Sequence, residues 1–392
     1  QRAVTFDTYE PNGWGLVLGE NSSNLTIGGN VSLQPNAESL TSGFVDHYSP
    51  GINWTEQTSG TSKHLHEITY GDGNFVAVGQ TGVILTSSDG TTWTPRTSGT
   101  TIDLKSVTYA NDTFVTIGNL GGTPSSGTIL TSTDGITWTS QTSGTTKGLT
   151  GITHGNNKFV TVGSSGTILT STDGSTWTSM TSGTTKHLHE ITYGDGTFVA
   201  VGQSGVILTS SDGTTWTDKT YGSSFYLMGV THANGTFVIV GSAGTILTSS
   251  DGSYWTSRTS GTSIDLRGVG YGSNTFVALG GNGTILTSND GSSWTSRTSG
   301  IGDHLNRITR GNSTFVAVGI SGAIVTSSDG VMDNNSHVVG IETNQSSLTI
   351  SGSVTLKDNA TISSDSGNVS LGNLTLENGN IDVNGGTLSL AG

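Results

Sequence analysis

Short runs of alternating apolar and polar residues fill most of the chain, and turns rich in Gly, Asn and Asp separate them. Residues 188–193, 198–202 and 205–210 show the pattern, with turns at residues 194–196 and 212–213. Alternation of period two between such turns is typical of β-strands. No stretch keeps helical spacing over about ten residues, the usual minimum for a helix. The pattern therefore predicts an all-β protein.

The alternating strands belong to a unit that repeats along residues 51–330. A tryptophan marks each copy, and the step between tryptophans is 39 residues, except for 45 between Trp93 and Trp138. The marking residues are Trp54, Trp93, Trp138, Trp177, Trp216, Trp255 and Trp294. Each unit holds four strands, A to D, and four strands in about 40 residues are typical of a propeller blade. Seven copies predict a seven-bladed β-propeller.

The two ends of the repeat array complete one blade between them. The array begins with a D strand in residues 52–58 and ends with strands A to C in residues 304–328. Residues 50–54 resemble the second half of a C–D turn, and residues 327–330 resemble the first half. We therefore expect the N-terminal D strand to close the ring, in a 1+3 arrangement that leaves no open sheet edge. Both tails should leave side by side.

The flanks, residues 1–50 and 331–392, carry thinner repeats than the propeller at 51–330. Two apolar residues and then a Gly or Asn turn recur every five to seven residues, as at residues 24–33 and 347–356. A strand so short cannot bury a core by itself. It has to stack on its own chain as a solenoid or wind with other copies as a fibre. We favour a fibre and expect a homotrimer.

Composition narrows the possible environments. The 392 residues include 60 Gly, 5 Pro and no Cys, and only 11% are charged. A surface of hydroxyls, Asn and Gly suits an exposed extracellular or virion protein. The net charge of -14 argues against nucleic acid or an anionic membrane as partner. No apolar run approaches the length of a membrane span. Because the chain starts at Gln1 without Met, we expect a processed protein or part of a longer one.

The motif Ser-X-Asp-Gly-X-X-Trp before strand D resembles the Asp-box turn of sialidases, sortilin-type receptors and photosystem assembly factors. It lacks the residue that usually stands between Asp and Gly. The resemblance implies a structural turn, in which Asp accepts backbone N–H groups, Gly takes a positive φ and Trp is buried between blades. The aspartates are Asp89, Asp134, Asp173, Asp212, Asp251, Asp290 and Asp329. The flanks resemble the thin β-repeats of bacteriophage tail and head fibres.

Catalytic and metal chemistry find little support in the sequence. The sialidase resemblance would require three convergent arginines, but Arg96, Arg258 and Arg297 occupy equivalent positions in different blades. No Tyr–Glu nucleophile pair or pair of catalytic carboxylates stands out. The His-Leu-His-Glu stretches at residues 64–67 and 187–190 suggest a metal site, but duplication of the repeat explains them. We expect no enzyme activity, no cofactor and no metal.

Variation against the constant repeat points to a binding face instead. The D–A connection begins with a nearly constant Thr-Ser-Gly-Thr and then diverges, and the only insertion, residues 120–125, falls in a B–C loop. D–A and B–C loops share the propeller face opposite the Asp boxes. The candidate ligand-binding residues are Lys63, His64, Asp103, Lys147, Lys186, His187, Tyr221, Phe225, Tyr226, Asp265, Asp303 and His304. Variable loops on a rigid scaffold often bind ligands, although drift in solvated loops would give the same pattern.

These patterns favour a non-enzymatic phage protein at the virion surface, a fibre or decoration protein. Its flanks would form the oligomer, and its propeller would attach to a cell-surface glycan or to other virion proteins. A secreted bacterial adhesin or filament subunit is the alternative, and a glycan hydrolase is a third possibility. Sequons occur at Asn21, Asn24, Asn30, Asn344, Asn359, Asn368 and Asn373, and they matter only in a host that glycosylates them.

Overall fold

The computed structural model describes the side chains of residues 54–119, 127–222 and 224–327, and outside them the backbone of the strands named below. The chain forms two compact units. One spans Ser49–Asp329, and the other combines Gln1–Tyr48 with Gly330–Gly392.

The first unit confirms the seven-bladed β-propeller: it contains seven antiparallel sheets of four strands each, in the order A-B-C-D. The A strands are Leu65–Gly71, Asp103–Ala110, Leu149–Gly155, Leu188–Gly194, Leu227–Ala233, Leu266–Gly272 and Leu305–Gly311. The B strands are Asn74–Gly79, Thr113–Asn119, Lys158–Gly163, Thr197–Gly202, Thr236–Gly241, Thr275–Gly280 and Thr314–Gly319. The C strands are Ile84–Ser87, Thr128–Ser132, Ile168–Ser171, Ile207–Ser210, Ile246–Ser249, Ile285–Ser288 and Ile324–Ser328. The D strands of blades 1 to 6 are Thr94–Arg96, Thr139–Thr142, Thr178–Met180, Thr217–Asp218, Thr256–Arg258 and Thr295–Arg297.

A short 3-10 turn joins strands B and C in every described B–C connection. These turns are Gln80–Gly82, Ser164–Gly166, Gln203–Gly205, Ser242–Gly244, Gly281–Gly283 and Ile320–Gly322. They are the helices of the described chain, and none is long or apolar enough to cross a membrane. The predicted insertion at residues 120–125 lies outside the described residues.

The core of the described propeller consists of seven apolar clusters, each formed between two successive blades. Leu65 and Phe75 of blade 1 pack with Val316 and Ile324 of blade 7 in one of them. Strand B is covered on both faces by neighbouring blades, which explains its nearly continuous apolar sequence. The A strands of successive blades contact each other, so they form the inner ring of the propeller.

The fourth strand of blade 7 comes from the other end of the repeat array. Thr55–Gln57 pairs antiparallel with strand C of blade 7, with Thr55 opposite Thr326 and Gln57 opposite Ile324. The Gln57 side-chain amide donates to Thr326 Oγ1 at 2.9 Å. Trp54 is 8% exposed and packs 6.4 Å from the Phe315 ring, measured between ring centroids.

The second unit contains two sheets of five parallel strands. One consists of Leu16–Leu18, Leu40–Ser42, Val338–Ile341, Thr361–Ser364 and Asn380–Val383. The other consists of Asn24–Ile27, Val31–Ser32, Ser347–Lys357, Asn368–Glu377 and Leu388–Leu390. Strands before and after the propeller pair directly, as Asn24 does with Ser347.

After the propeller, successive strands of the chain alternate between these two sheets, and each pairs in parallel with the strand after next. Leu25, Leu348, Val369 and Leu388 therefore stand in one aligned column. These strands thus stack on others of the same chain, and the favoured fibre stays a prediction. The trimer stays a prediction.

Candidate binding face

The Ser-X-Asp-Gly turns before strand D bind their own backbone. In blade 1, Asp89 Oδ1 accepts hydrogen bonds of 2.8 Å from the backbone N–H groups of Thr91 and Thr92. Ser87 Oγ accepts from Gly90 N at 2.8 Å, and Gly90 has φ +77°. The hydrogen bonds from Thr92 and Thr91 hold the pKa of Asp89 well below its usual range. These bonds engage the carboxylate with the backbone of its own turn, and the structural role stays the prediction.

The same carboxylate geometry recurs in five further blades. The aspartates are Asp134, Asp173, Asp212, Asp251 and Asp290. In blade 2, hydrogen bonds from Thr137 and Ile136 lower the pKa of Asp134 to about 2. Asp329 lies outside the described residues.

The repeated tryptophans correct one expectation, because most of them are only partly buried. Trp93 Nε1 donates to Gly90 O at 3.0 Å, and its ring lies 6.5 Å from that of Phe75. Trp54 is the one buried member of the set. The other six remain partly exposed because strand D forms the outer edge of its blade, where one side faces solvent.

On the opposite side of the propeller, the D–A linker packs against the B–C turn. A Cβ atom at Gly82 would lie 2.1 Å from the carbonyl oxygen of Thr100, so only glycine fits this turn. The linker itself is fixed by Ser98, whose Oγ donates to Thr100 O at 3.1 Å. The constant Thr-Ser-Gly-Thr sequence thus fixes the start of the linker against the B–C turn. The variable residues that follow it project from this fixed segment.

Four candidate residues fasten one blade to the next. Each accepts a hydrogen bond of 2.8 to 2.9 Å from the backbone N–H of the neighbouring blade's B–C turn. The pairs are Asp103 with Thr81, Asp265 with Ala243, His304 with Asn282, and His64 with Ser321. A hydrogen-bond acceptor is needed here, which explains why Asp and His recur at this position.

The remaining candidates divide into scattered and clustered residues. Lys63, Lys147, the adjacent pair Lys186 and His187, and Asp303 are exposed at separate points around the ring, and the structure does not bring these points together. Tyr221, Phe225 and Tyr226 all lie in the connection to blade 5 and are 39%, 44% and 44% exposed. Tyr226 stacks on His189 with ring centroids 6.0 Å apart and planes inclined by 10°.

Two of these aromatic residues line a groove. The blade 5 groove has a volume of about 510 Å³ and is bordered by Tyr221, Phe225 and Arg258. The blade 6 groove measures about 580 Å³ and contains Arg297. Both grooves share the linker residues 260–262 as a wall.

An arginine occupies the same place in three described grooves. Arg258 Nε donates to Thr248 Oγ1 at 2.8 Å, and Arg297 Nε donates to Thr287 Oγ1 at 2.9 Å. A third groove, in blade 1, contains Arg96, bonded to Thr86 at 2.9 Å. The arginines lie in separate grooves, so they do not form a sialidase-type triad. Sequence reasoning missed the grooves, although the Thr and Arg recurring ten residues apart carried the signal.

The strongest charged cluster lies on the inner ring and was also missed. Arg307 Nη2 donates to Glu190 Oε2 at 2.7 Å, and its Nε donates to Glu67 Oε2 at 3.2 Å. Further hydrogen bonds reach the carbonyl oxygens of Met228 and Arg267. One side chain of blade 7 therefore joins blades 1, 4, 5 and 6. Glu67 and Glu190 belong to the two His-Leu-His-Glu stretches, so this duplication has a structural use.

Two carboxylates share the single positive charge of Arg307. Burial raises the pKa of Glu67 to about 8, assisted by the negative charge of Glu190 and opposed by Arg307. Burial also raises the pKa of Glu190, again opposed by Arg307. The pair of carboxylates therefore holds a proton more readily than two free carboxyl groups would.

The histidines of the same stretches have separate protein partners. His66 Nε2 lies 3.1 Å from Lys105 Nζ, and burial together with Lys105 lowers the pKa of His66 to about 4. His189 Nδ1 lies 3.0 Å from the carbonyl oxygen of Leu227. Among the described residues, no three His, Asp or Glu side chains are grouped so as to hold a metal ion.

No protein-family model matches the sequence, and no curated protein matches it either. YCF48 from Cyanidioschyzon merolae is a similar solved structure, with 18% identity and a TM-score of 0.57 over 70% of this chain and 98% of its own. Virginiamycin B lyase from Staphylococcus aureus has 16% identity and a TM-score of 0.61, over 70% and 99%. The WD40 propeller domain of Doa1 has 12% identity and a TM-score of 0.56, over 71% and 98%. At these identities the likeness concerns the fold alone, and it establishes a β-propeller whose chemistry has to be inferred from its own side chains.

Proposed function

We propose that this protein is a non-enzymatic attachment protein, a fibre or decoration protein of a phage virion. Its Asp-box-like propeller recognises a host-surface glycan. The observation that carries the proposal is the blade 5 groove, where Tyr221 and Phe225 expose their rings beside Arg258. Flat aromatic rings next to a polar group suit a sugar ring, whose faces are apolar and whose rim is polar.

The test is a glycan array probed with the full chain and with a Tyr221→Ala, Phe225→Ala double variant. Stacking on two rings predicts a loss of about tenfold in affinity when both are removed. Tyr254→Ala is the matched control, because Tyr254 is 83% exposed and lies in the Asp-box turn of blade 5, on the other side of the propeller. Equal loss in both variants, or no glycan retained by the full chain, would refute the proposal.

The same array separates the alternatives. A secreted adhesin or filament subunit would bind glycans through the same groove, so immunogold labelling of virions and of bacterial surfaces decides between them. A glycan hydrolase would release reducing ends from the retained glycan, and a reducing-sugar assay measures that release directly.

The flanks supply the assembly function in this proposal. Their parallel strands form an oligomeric shaft, with a homotrimer as the expected state, and the D strand from residues 52–58 keeps the propeller ring closed. Light scattering on the full chain gives the mass of the particle. A monomeric mass would remove the shaft from the proposal and leave glycan binding untouched.

A further inference from the structure

We propose that the contiguous grooves of blades 5 and 6 bind a linear acidic polysaccharide, whose negatively charged groups pair with Arg258 and Arg297. This inference rests on the proposed glycan recognition and names the class of glycan.

The first support is the continuity of the two grooves. Residues 260–262 border both, so a chain leaving one groove passes directly into the other. Arg258 lies in the first and Arg297 in the second, at equivalent positions of adjacent blades. A polymer with charges at regular intervals can engage both arginines at once, and the second contact then forms at a high effective concentration.

The second support is the way these arginines are held. The Nε of each is bonded to a threonine hydroxyl of the neighbouring C strand, which fixes the guanidinium group. Among the described residues, no carboxylate forms a salt bridge with either Arg258 or Arg297. A planar guanidinium held in place is suited to carboxylate or sulfate groups, which it binds through paired hydrogen bonds.

The third support is the unequal distribution of charge between the two sides of the propeller. The A–B and C–D turns carry mostly carboxylates: Asp72, Asp89, Asp112, Asp134, Asp173, Asp195, Asp212, Asp251 and Asp290. The ends of the D strands and the linkers after them carry most of the cations: Lys63, Arg96, Lys147, Lys186, Lys219, Arg258 and Arg297. The same side also carries Asp103, Asp218, Asp265 and Asp303, but the cations outnumber these carboxylates, so an acidic polymer is drawn to the groove side although the whole chain is acidic.

The groove chemistry favours a polysaccharide over other anionic polymers. Tyr221 and Phe225 stand at the blade 5 end and offer ring faces to a sugar. In the shared wall, the exposed Gly261 and the partly exposed Thr262 offer backbone and hydroxyl groups to sugar hydroxyls. A nucleic acid duplex would require a broader basic surface than two arginines provide.

Asp265 carries an opposing charge beside the groove. Asp265 accepts a hydrogen bond of 2.8 Å from the backbone N of Ala243, which borders the blade 5 groove. An amide oxygen can accept the same bond, so Asp265→Asn removes the charge and keeps the contact between blades. We expect this variant to bind acidic polysaccharide about twofold to threefold more tightly, since it removes a like charge near the ligand.

The decisive experiment measures binding of the full chain to polygalacturonate and chondroitin sulfate, with dextran and amylose as neutral probes. The test variant is Arg258→Gln with Arg297→Gln. Glutamine is native at the equivalent positions of blades 2 and 7. There Gln141 and Gln57 each donate to the equivalent threonine of their own blade, Thr131 and Thr326, at 2.9 Å. The substitution therefore removes the positive charge and keeps the hydrogen bond to the C-strand threonine.

The control is Arg96→Gln, because Arg96 has the same threonine anchor and its own groove in blade 1. We expect acidic probes to bind at low salt, affinity to fall as salt rises, and the double variant to lose about tenfold per arginine. Arg96→Gln should change affinity by about twofold or less, since it removes one charge of the same face.

Three results would overturn the inference while leaving the proposed function intact. They are binding of neutral probes that depends on Tyr221 and Phe225 but not on the arginines, equal loss in Arg96→Gln, and equal affinity for duplex DNA. Retention of no probe at all, together with a blank glycan array, would overturn both proposals.

Discussion

Single side chains in this propeller satisfy several partners at once. Ser87 Oγ and Asp89 Oδ1 together bind four backbone N–H groups of one turn, at 2.8 to 3.3 Å. Arg307 reaches two carboxylates and three carbonyl oxygens around the inner ring. Such residues matter for stability because removing one leaves several polar groups without partners.

A substitution of a turn aspartate tests the first of these roles. Asp173 Oδ1 accepts from Ser175 N at 2.8 Å and from Thr176 N at 2.9 Å. Asp173→Ala should lower the free energy of unfolding by about 1 kcal/mol, as loss of a capping side chain does. Asp173→Asn keeps an acceptor oxygen and should cost less. Urea unfolding followed by tryptophan fluorescence measures both, and equal losses would contradict the assigned hydrogen bonds.

Acid should weaken the same turns. The pKa values of Asp89, Asp134 and Asp173 are lowered in the folded state by backbone hydrogen bonds. A group whose pKa is lowered by folding stabilises the protein at pH values above its unfolded pKa, which is near 3.8 for Asp. That contribution is lost as the pH falls through the pKa of the folded state. The thermal midpoint of the wild type should therefore drop below about pH 4, and Asp173→Asn should drop less. Parallel curves for the two proteins would count against this explanation.

The buried cluster of Arg307, Glu67 and Glu190 should make stability depend on pH in the opposite direction. The folded pKa of Glu67 is about 8, above its usual value of 4.5. Between these values the folded state keeps a proton that the unfolded state has released, so stability falls as the pH rises. Glu67→Gln should flatten the decline of the thermal midpoint between pH 5 and pH 8. Glu56→Gln, at an exposed position, is the control and should leave the decline unchanged.

At the scale of elements, polar contacts join blades in addition to apolar packing. Four B–C turns donate to side chains of the following blade, and Arg307 links strands of five blades. The seam of blade 7 uses the same devices as the other sheets, including the side-chain bond from strand D to a C-strand threonine. The D strand from the start of the array is thereby equivalent to the D strands of the other blades.

The seam can be probed through the unequal burial of two tryptophans. Trp54 is 8% exposed and packs on Phe315, whereas Trp93 at the equivalent place in blade 1 is partly exposed. Trp54→Ala should lower the free energy of unfolding by about 3–5 kcal/mol, and Trp93→Ala by less than half as much. Chemical denaturation of both variants gives the ratio. Equal losses would show that the seam is not packed as described.

At the scale of the whole molecule, the chain separates into two compact units of different construction. The antiparallel propeller has its core between blades, whereas the second unit stacks parallel strands from both ends of the chain. A fragment of residues 49–329 contains every strand of the propeller, including Thr55–Gln57. We therefore expect it to unfold cooperatively near the thermal midpoint of the propeller in the full chain. Calorimetry on both proteins provides the comparison, and an unfolded fragment would show that the flanks hold the ring together.

The repeat was enough to predict the propeller from sequence, because the features that identify each unit are local and recur. The Trp spacing, the Asp-Gly turn and the Phe of strand B each arise from a short stretch whose conformation depends mainly on its own residues. Repetition of one such stretch every 39 residues leaves few architectures that bury all copies equally. The aromatic residues of blade 5 were also predicted as candidates from sequence, since they depart from an otherwise constant linker, and their role in binding stays a prediction.

What only the tertiary structure decided are the contacts between residues far apart in the chain. Arg307 lies 240 residues from Glu67 and 117 from Glu190, and no spacing rule connects them. Ring closure brings these three together because the inner strands of blades 7, 1 and 4 face one axis. The packing of consecutive blades set the pairing of Asp103 with Thr81 and the shared wall of two arginine grooves. A periodic sequence specifies its unit through local physics, but the position of one unit against the others fixes where its exceptional residues meet.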